Sequence, residues 1–218
     1  MALKIFSPGA RLRRKTKAHL DAYASPSLAF FLLIMLSSAI ATLGLIINNS
    51  SVVIGAMVVA PLITPIFGFS LSLLIFQLKQ MLSTSLMLLS GTLLAIAIAA
   101  LLGFLLSLLD GQPVSLTPEI LAQTKPNLAF FLVALFSGIA GAYAYSKPDK
   151  LASVAGIAIS VALIPPLAVC GIGIVLSEWQ LVSQSLLLYG FNLAGICLGS
   201  IIVFLFLGFG KEASLSQE

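Results

Sequence analysis

The sequence predicts an all-α polytopic membrane protein of six transmembrane helices, built as two inverted three-helix repeats with proline-broken helices 2 and 5. Three observations carry that expectation. Six apolar stretches each reach the roughly 20 residues that a helix needs to cross a bilayer. The first three stretches recur in the last three at an offset of 100 residues. Pro65 lies near the middle of the second stretch, and Pro165 lies near the middle of the fifth.

Composition supports the membrane reading. The chain is 60% hydrophobic and only 8% charged, with a mean hydropathy of +1.15; soluble domains carry roughly 25% charged residues. The stretches run Leu28–Ile47, Val52–Phe76, Met81–Leu109, Leu128–Ser146, Leu151–Leu176 and Leu181–Phe209. Regular strand alternation is absent, and lipid tolerates only helices or closed barrels. The domain organisation follows: a basic arm at 1–25, a first repeat at 26–109, an outer linker at 110–125, a second repeat at 126–209 and a tail at 210–218.

Basic residues set the orientation. Of the 11 Lys and Arg, all but Lys125 fall on one side if the six helices cross. The positive-inside rule then places both termini in the cytoplasm of a multi-pass cell (inner) membrane protein. The formal charge of +4 reports topology and attraction of the arm to anionic lipid headgroups, and nucleic acid is excluded as a partner. A cleaved signal peptide is excluded as well. The first apolar run is too long for a typical signal core, and it is the repeat partner of the fourth.

The repeat is most visible where Pro26-x-Leu28-Ala29-Phe30-Phe31-Leu32 matches Pro126-x-Leu128-Ala129-Phe130-Phe131-Leu132. Gln80, Ser83, Ser85 and Leu86 likewise match Gln180, Ser183, Ser185 and Leu186. Three crossings per repeat is an odd number, so the second copy is inverted, and inverted repeats with broken helices at matched depth point to a transporter site. Asn48, Asn49, Ser50 and Ser51 form the turn between the first two helices, where capping of the second explains them.

Proline lacks an N–H and clashes with the carbonyl four residues back. Pro61 and Pro65 therefore release the carbonyls of Met57 and Pro61; Pro165 and Pro166 release those of Val161 and Ala162. Together with Thr64 and Ser160 these oxygens form an uncharged cage suited to a hard cation. The half-helix N-termini beyond each break favour an anion instead. Asn192, polar and intramembrane, is expected to face the same interior. Gly91, Ala95, Ala99 and Gly103 on the third helix, with Gly195 and Gly199 on the sixth, form helix-packing seams within or between protomers.

No Asp, Glu, Lys, Arg or His falls in the middle of a crossing. His19 lies in the arm, and Cys170 and Cys197 are single thiols in apolar helices. No catalytic residues, metal site or cofactor are predicted, and the chain is not read as an enzyme.

Several segments carry a family resemblance. They are Ile40-Ala41-Thr42-Leu43-Gly44-Leu45 with Asn48-Asn49-Ser50, Val53-Ile54-Gly55-Ala56-Met57, and Ala60-Pro61-Leu62-x-x-Pro65-Ile66. Ala162-Leu163-Ile164-Pro165-Pro166-Leu167 and Asn192-Leu193-Ala194-Gly195 follow. Over roughly residues 25–207 the chain resembles the prokaryotic DUF389 family of hydrophobic membrane proteins. Many relatives look to carry an added soluble domain that this sequence lacks. The resemblance implies a prokaryotic membrane location and supplies no settled substrate.

Function then rests on the physical reading. The chain is expected to be a transporter or ion pathway for a small ion or compact polar solute, with its site where broken helices 2 and 5 cross. An oligomeric channel is the close variant, and a membrane scaffold without transport activity is the alternative from another class. Homo-oligomerisation is expected from the small-residue ladders.

Overall fold

The computed structural model describes residues 27–146 and 163–209, which contain helices and no strand. In chain order the helices are α1 (Leu28–Ile46), α2 (Ser50–Val59), α3 (Ile63–Leu74), α4 (Leu78–Asp110), α5 (Pro118–Ala122), α6 (Leu128–Tyr145), α7 (Ile164–Leu176) and α8 (Trp179–Phe206). The basic arm and the tail lie outside the described residues. So does the first half of the predicted fifth stretch, including Ser160, Val161 and Ala162.

Local chemistry fixes the helix ends. Ser27 Oγ accepts the Phe30 amide at 3.1 Å at the start of α1, and Asn127 Oδ1 accepts the Phe130 amide at 3.0 Å at the start of α6. Each satisfies a donor that the first turn leaves unpaired. Between α1 and α2, Asn48 adopts a left-handed φ of 56°, and the Asn49 amide donates to the Gly44 carbonyl at 2.9 Å. Asn49 then caps α2, accepting from the Ser51 and Val52 amides at 3.0 and 3.2 Å. The chain doubles back so tightly that a Cβ on Gly44 would lie 3.0 Å from the Val53 amide nitrogen.

The second predicted helix is broken. α2 stops at Val59, Ala60 is extended with ψ 120°, and α3 departs at 52° to α2. Pro61 supplies the cause, since it can neither donate to Met57 nor pack against that carbonyl. Pro65 sits in the first turn of α3, where a missing N–H costs little.

α4 is the longest element at 33 residues, about 50 Å at 1.5 Å per residue. Gly111 ends it with a φ of 66°, the left-handed conformation common after a helix C-terminus. The linker is folded back on the α1–α2 turn. Thr117 Oγ1 donates to the Leu45 carbonyl at 2.7 Å, and Asn48 Oδ1 accepts the Glu119 amide at 3.2 Å. Ser50 Oγ donates to Glu119 Oε1.

Four helices are long and apolar enough to cross a membrane: α1, α4, α6 and α8; the bent α2–α3 pair, counted as one span, makes a fifth. α7 has 13 residues, about 20 Å, and is short for a crossing by itself. The charged side chains among the described residues are Lys79, Asp110, Glu119, Lys125 and Glu178. All lie at helix ends or in connections, so the apolar middle carries no formal charge.

α8 makes its most extensive contact with α6, and α4 makes its own with α7; α8 also packs on α3, and α1 touches α2, α4 and α7. Burial follows a paired pattern. In α1 and α6 the buried positions lie 100 apart: Ile34 and Ala134, Ser37 and Ser137, Ser38 and Gly138, Leu45 and Tyr145. Beyond the break the interval is 101. Ile63 and Ile164 open α3 and α7, while Leu78 and Trp179 open α4 and α8. The buried positions of those last two pair as Thr84 with Ser185, Met87 with Leu188, Gly91 with Asn192, and Ala99 with Ser200. The turns before them agree: Gln77 donates to Ser72 and Glu178 to Gly173, both at 2.9 Å. One added residue rotates a helix by about 100°. Ala95 and Ala99 meet buried positions at both intervals, Gly195 and Gly199 at 100 and Ile196 and Ser200 at 101.

Candidate functional site

The helix break and the start of α7 meet. Met57, Ala60, Leu62 and Ile63 face Leu163, Ile164 and Ile196 across a cavity of about 20 Å³. That is room for about one water molecule, which needs roughly 10–15 Å³. Leu62 is the N-cap of α3 and Leu163 the N-cap of α7, and neither helix has a side-chain cap. Ser27, Asn49, Thr117 and Asn127 cap α1, α2, α5 and α6, while α4 and α8 also start without a side-chain cap. Two helix N-termini with their partial positive charge thus open on one small space. Met57 of α2 also lines the cavity, and Pro61, having no N–H, cannot donate to its carbonyl.

Of the residues singled out from sequence, Met57 lines this cavity. Pro61 is half-buried between the lining residues Ala60 and Leu62; Pro65 is buried in the first turn of α3, and Pro165 and Pro166 in the first turn of α7. Thr64 is turned elsewhere: its hydroxyl lies 3.4 Å from Tyr145 OH at the end of α6. Asn192 is 2% exposed and lines neither cavity described here. Ser160, Val161 and Ala162 lie outside the described residues.

Sequence reasoning missed Tyr145. Its ring stands edge-on to Phe67 at 5.6 Å, and Phe67 meets Phe204 in the same way at 6.3 Å. These rings close one end of the bundle beside the break. The positions paired with Tyr145, Phe67 and Phe204 in the other half are Leu45, Ala168 and Gly103, so the aromatic closure has no aromatic counterpart. The available signal was a hydroxyl-bearing ring ending an apolar stretch.

The small residues bring backbones together inside the chain. A Cβ on Gly195 would sit 2.7 Å from Ala134 Cβ and 2.9 Å from the Phe131 carbonyl oxygen of α6; one on Gly199 would sit 2.9 Å from the Ile139 amide nitrogen. On α4, Gly91 is filled by the Phe30 ring, whose Cζ would be 3.1 Å from an added Cβ, and Gly103 lies over Ile172 and Val175. Ala99 Cβ is met by Gly171 of α7. Ala95 accepts from Ser38 Oγ at 2.6 Å, and Ser37 Oγ donates to the Ala56 carbonyl at 2.7 Å.

A second, larger space of about 450 Å³ opens between α4 and α8, bordered also by Phe69 of α3. Its walls include Ser85, Leu88, Leu89 and Thr92 on α4, and Tyr189, Gly190, Leu193 and Cys197 on α8. The Thr92 and Tyr189 hydroxyls join across it at 2.8 Å. Sequence reasoning did not assign this chamber, because it depends on how two helices distant in sequence are rotated.

No solved structure matches the chain. Over 175 residues it is 30% identical to an uncharacterized protein of Methanocaldococcus jannaschii, a match covering 79% of this chain and 52% of that relative. The chain thus spans about half the length of that relative. The model of the family described as a domain of unknown function, DUF389, matches residues 57–198. That range takes in both sides of the break cavity and the whole lining of the chamber, and the chain belongs to the DUF389 family.

Proposed function

We propose that this protein is a membrane transporter or ion pathway for a small ion or compact polar solute, with its site at the junction of the α2–α3 break and the start of α7. One observation carries the reading: the first residues of α3 and α7, neither helix having a side-chain cap, and the proline-broken end of α2 line the same cavity at a depth without charged side chains. Unpaired backbone polar groups in lipid cost several kcal/mol each, by rough estimate, unless water, protein or a ligand satisfies them. The two N-termini weigh toward a compact anion or a neutral polar solute. A cation site built on the Thr64 hydroxyl has less support, since that hydroxyl lies beside Tyr145.

Six spans, inverted repeats and a non-catalytic role belong to the same proposal. The paired burial of α1 with α6 and of α4 with α8 supports the repeats, as does the crossed packing of α4 on α7 and α8 on α3. Both termini then face the cytoplasm of the cell membrane, and the basic arm meets anionic headgroups. The repeats would rock against each other around the junction. A scaffold reading used Gly195 and Gly199 as contacts between proteins, and here they face α6. Homo-oligomerisation, and with it an oligomeric channel, would need another surface.

Purified protein reconstituted in liposomes and tested on a solid-supported membrane decides the matter. Sodium, potassium, proton, chloride and bicarbonate gradients are stepped in turn, with tracer flux covering electroneutral exchange. A signal for one solute that Ala60→Leu abolishes without unfolding supports the junction site. Flux unaffected by filling the cavity overturns the site, and silence for every solute overturns the transport reading within that panel.

A further inference from the structure

The chamber between α4 and α8 is separate from the break cavity, and its chemistry differs. Leu88, Leu89 and Thr92 pair at the interval of 101 with Tyr189, Gly190 and Leu193, so corresponding segments of α4 and α8 line its two sides. Thr92 is 14 residues into α4 and Tyr189 is 10 residues into α8, about 21 and 15 Å along them. In a bilayer crossed by α4 and α8, both would lie at hydrocarbon depth. Leu89 is 55% exposed, and a Cβ on Gly190 would meet nothing within 4 Å. These two residues mark an opening toward the lipid phase.

At about 450 Å³ the chamber falls in the usual range for small-molecule sites, roughly 300–1,000 Å³. Its wall is mostly apolar, and no charged residue lines it. Ionised ligands are thereby disfavoured, because nothing offsets their desolvation. The polar handle is the Thr92–Tyr189 pair. One hydroxyl donates to the other at 2.8 Å, so the accepting hydroxyl keeps its own proton, and lone pairs remain on both. Among the described residues neither hydroxyl has another hydrogen-bond partner. The pair can thus both donate to and accept from a ligand oxygen.

We propose that this chamber binds a neutral, largely aliphatic molecule carrying one hydroxyl group, which enters from the lipid phase and is held at that oxygen by Thr92 and Tyr189. The source can be a membrane lipid of the neutral, single-hydroxyl class or an alcohol dissolved in the membrane. Ser85 Oγ already donates to the Met81 carbonyl at 2.7 Å, so it contributes a lone-pair edge to the wall.

A photoreactive diazirine-bearing octanol, irradiated with the protein in nanodiscs and mapped by peptide mass spectrometry, tests the proposal. Labelling is expected to concentrate on Leu88, Leu89, Tyr189 and Leu193. Excess octanol should displace it, while octane at the same membrane concentration should not. Thr92→Val and Tyr189→Phe should each reduce chamber labelling about three- to tenfold, the scale of one lost hydrogen bond, whereas Thr92→Ser keeps it. Gly190→Leu, at the open mouth, should block labelling while leaving the pair intact and guards against a fold effect. A diazirine-bearing diacylglycerol labelling the same peptides identifies the lipid source, and octanol alone labelling them identifies the dissolved one. Labelling spread evenly over lipid-facing positions such as Leu86 and Leu101 would overturn the proposal. So would equal competition by octane, or a chamber left unlabelled because a second copy of the chain covers it.

Discussion

The α6–α8 seam gives a sharp test of the packing argument, through Gly199→Ala against Gly190→Ala. Both substitutions add one methyl group to the same helix, and both gain about 0.8–1.0 kcal/mol of helix propensity. At position 199 the new Cβ would run into the Leu135 carbonyl oxygen and lie 2.9 Å from the Ile139 amide nitrogen. Ordinary contacts need roughly 3.5–4.0 Å, so the helices must part by about an ångström or more along their most extensive interface. At position 190 an added Cβ meets nothing within 4 Å. Overpacking costs about 1–3 kcal/mol, and comparing the two variants cancels the propensity gain. For a chain of this length that difference corresponds to roughly 2–12 °C in midpoint, if the scale for soluble proteins carries over. Heating detergent-solubilised protein and following the folded fraction by size exclusion reads it directly. Gly199→Ala should melt below Gly190→Ala by that margin. Equal melting would mean that α6 and α8 do not approach as described.

Other outcomes follow from particular contacts. Ser38→Ala removes the 2.6 Å bond to Ala95 and should lower stability by about 0.5–1.5 kcal/mol in the same assay. Ser177→Gly should raise the melting temperature, because Ser177 holds a left-handed φ of 59° that glycine adopts without the roughly 1 kcal/mol penalty. Under the transport proposal, Ala60→Leu should fill the break cavity and cut proteoliposome flux at least tenfold with unchanged elution. Thr117→Val should free the linker, measured as faster amide exchange at Glu119 and Asn49, with little effect on α6–α8 melting.

How much of this was legible beforehand depends on what is encoded locally. Proline writes a helix break into the chain at its own position, so the Pro61 break and the turn at Asn48 and Asn49 could be read directly. Helix rotation is not local. The matches of Ser83 with Ser183 and Ser85 with Ser185 suggested an interval of 100, and burial in α4 and α8 pairs more positions at 101. Leu- and Ser-rich helices generate such identities easily, whereas packing registers a single residue as a 100° turn. Thr64 shows the same limit: its type suited an ion cage, but its neighbour Tyr145 comes from a helix 81 positions away. Thr92 and Tyr189 stand 97 positions apart, so their pairing was invisible until the helices were placed.

The linker carries a consequence for energetics. Under the repeat proposal the linker joins the two halves, and it is tied to the α1–α2 turn through Thr117, Glu119 and Ser50. In a fully symmetric inverted-repeat carrier the two access states would be isoenergetic mirror exchanges. Three hydrogen bonds present in one state and broken in the other would split them by about 1–3 kcal/mol, allowing for the exposed Ser50–Glu119 contact. That corresponds to a resting population weighted about five- to over a hundredfold toward the latched form. Such a carrier would rest mainly in the latched form, and the free energy needed to leave it would be returned as the cycle closes.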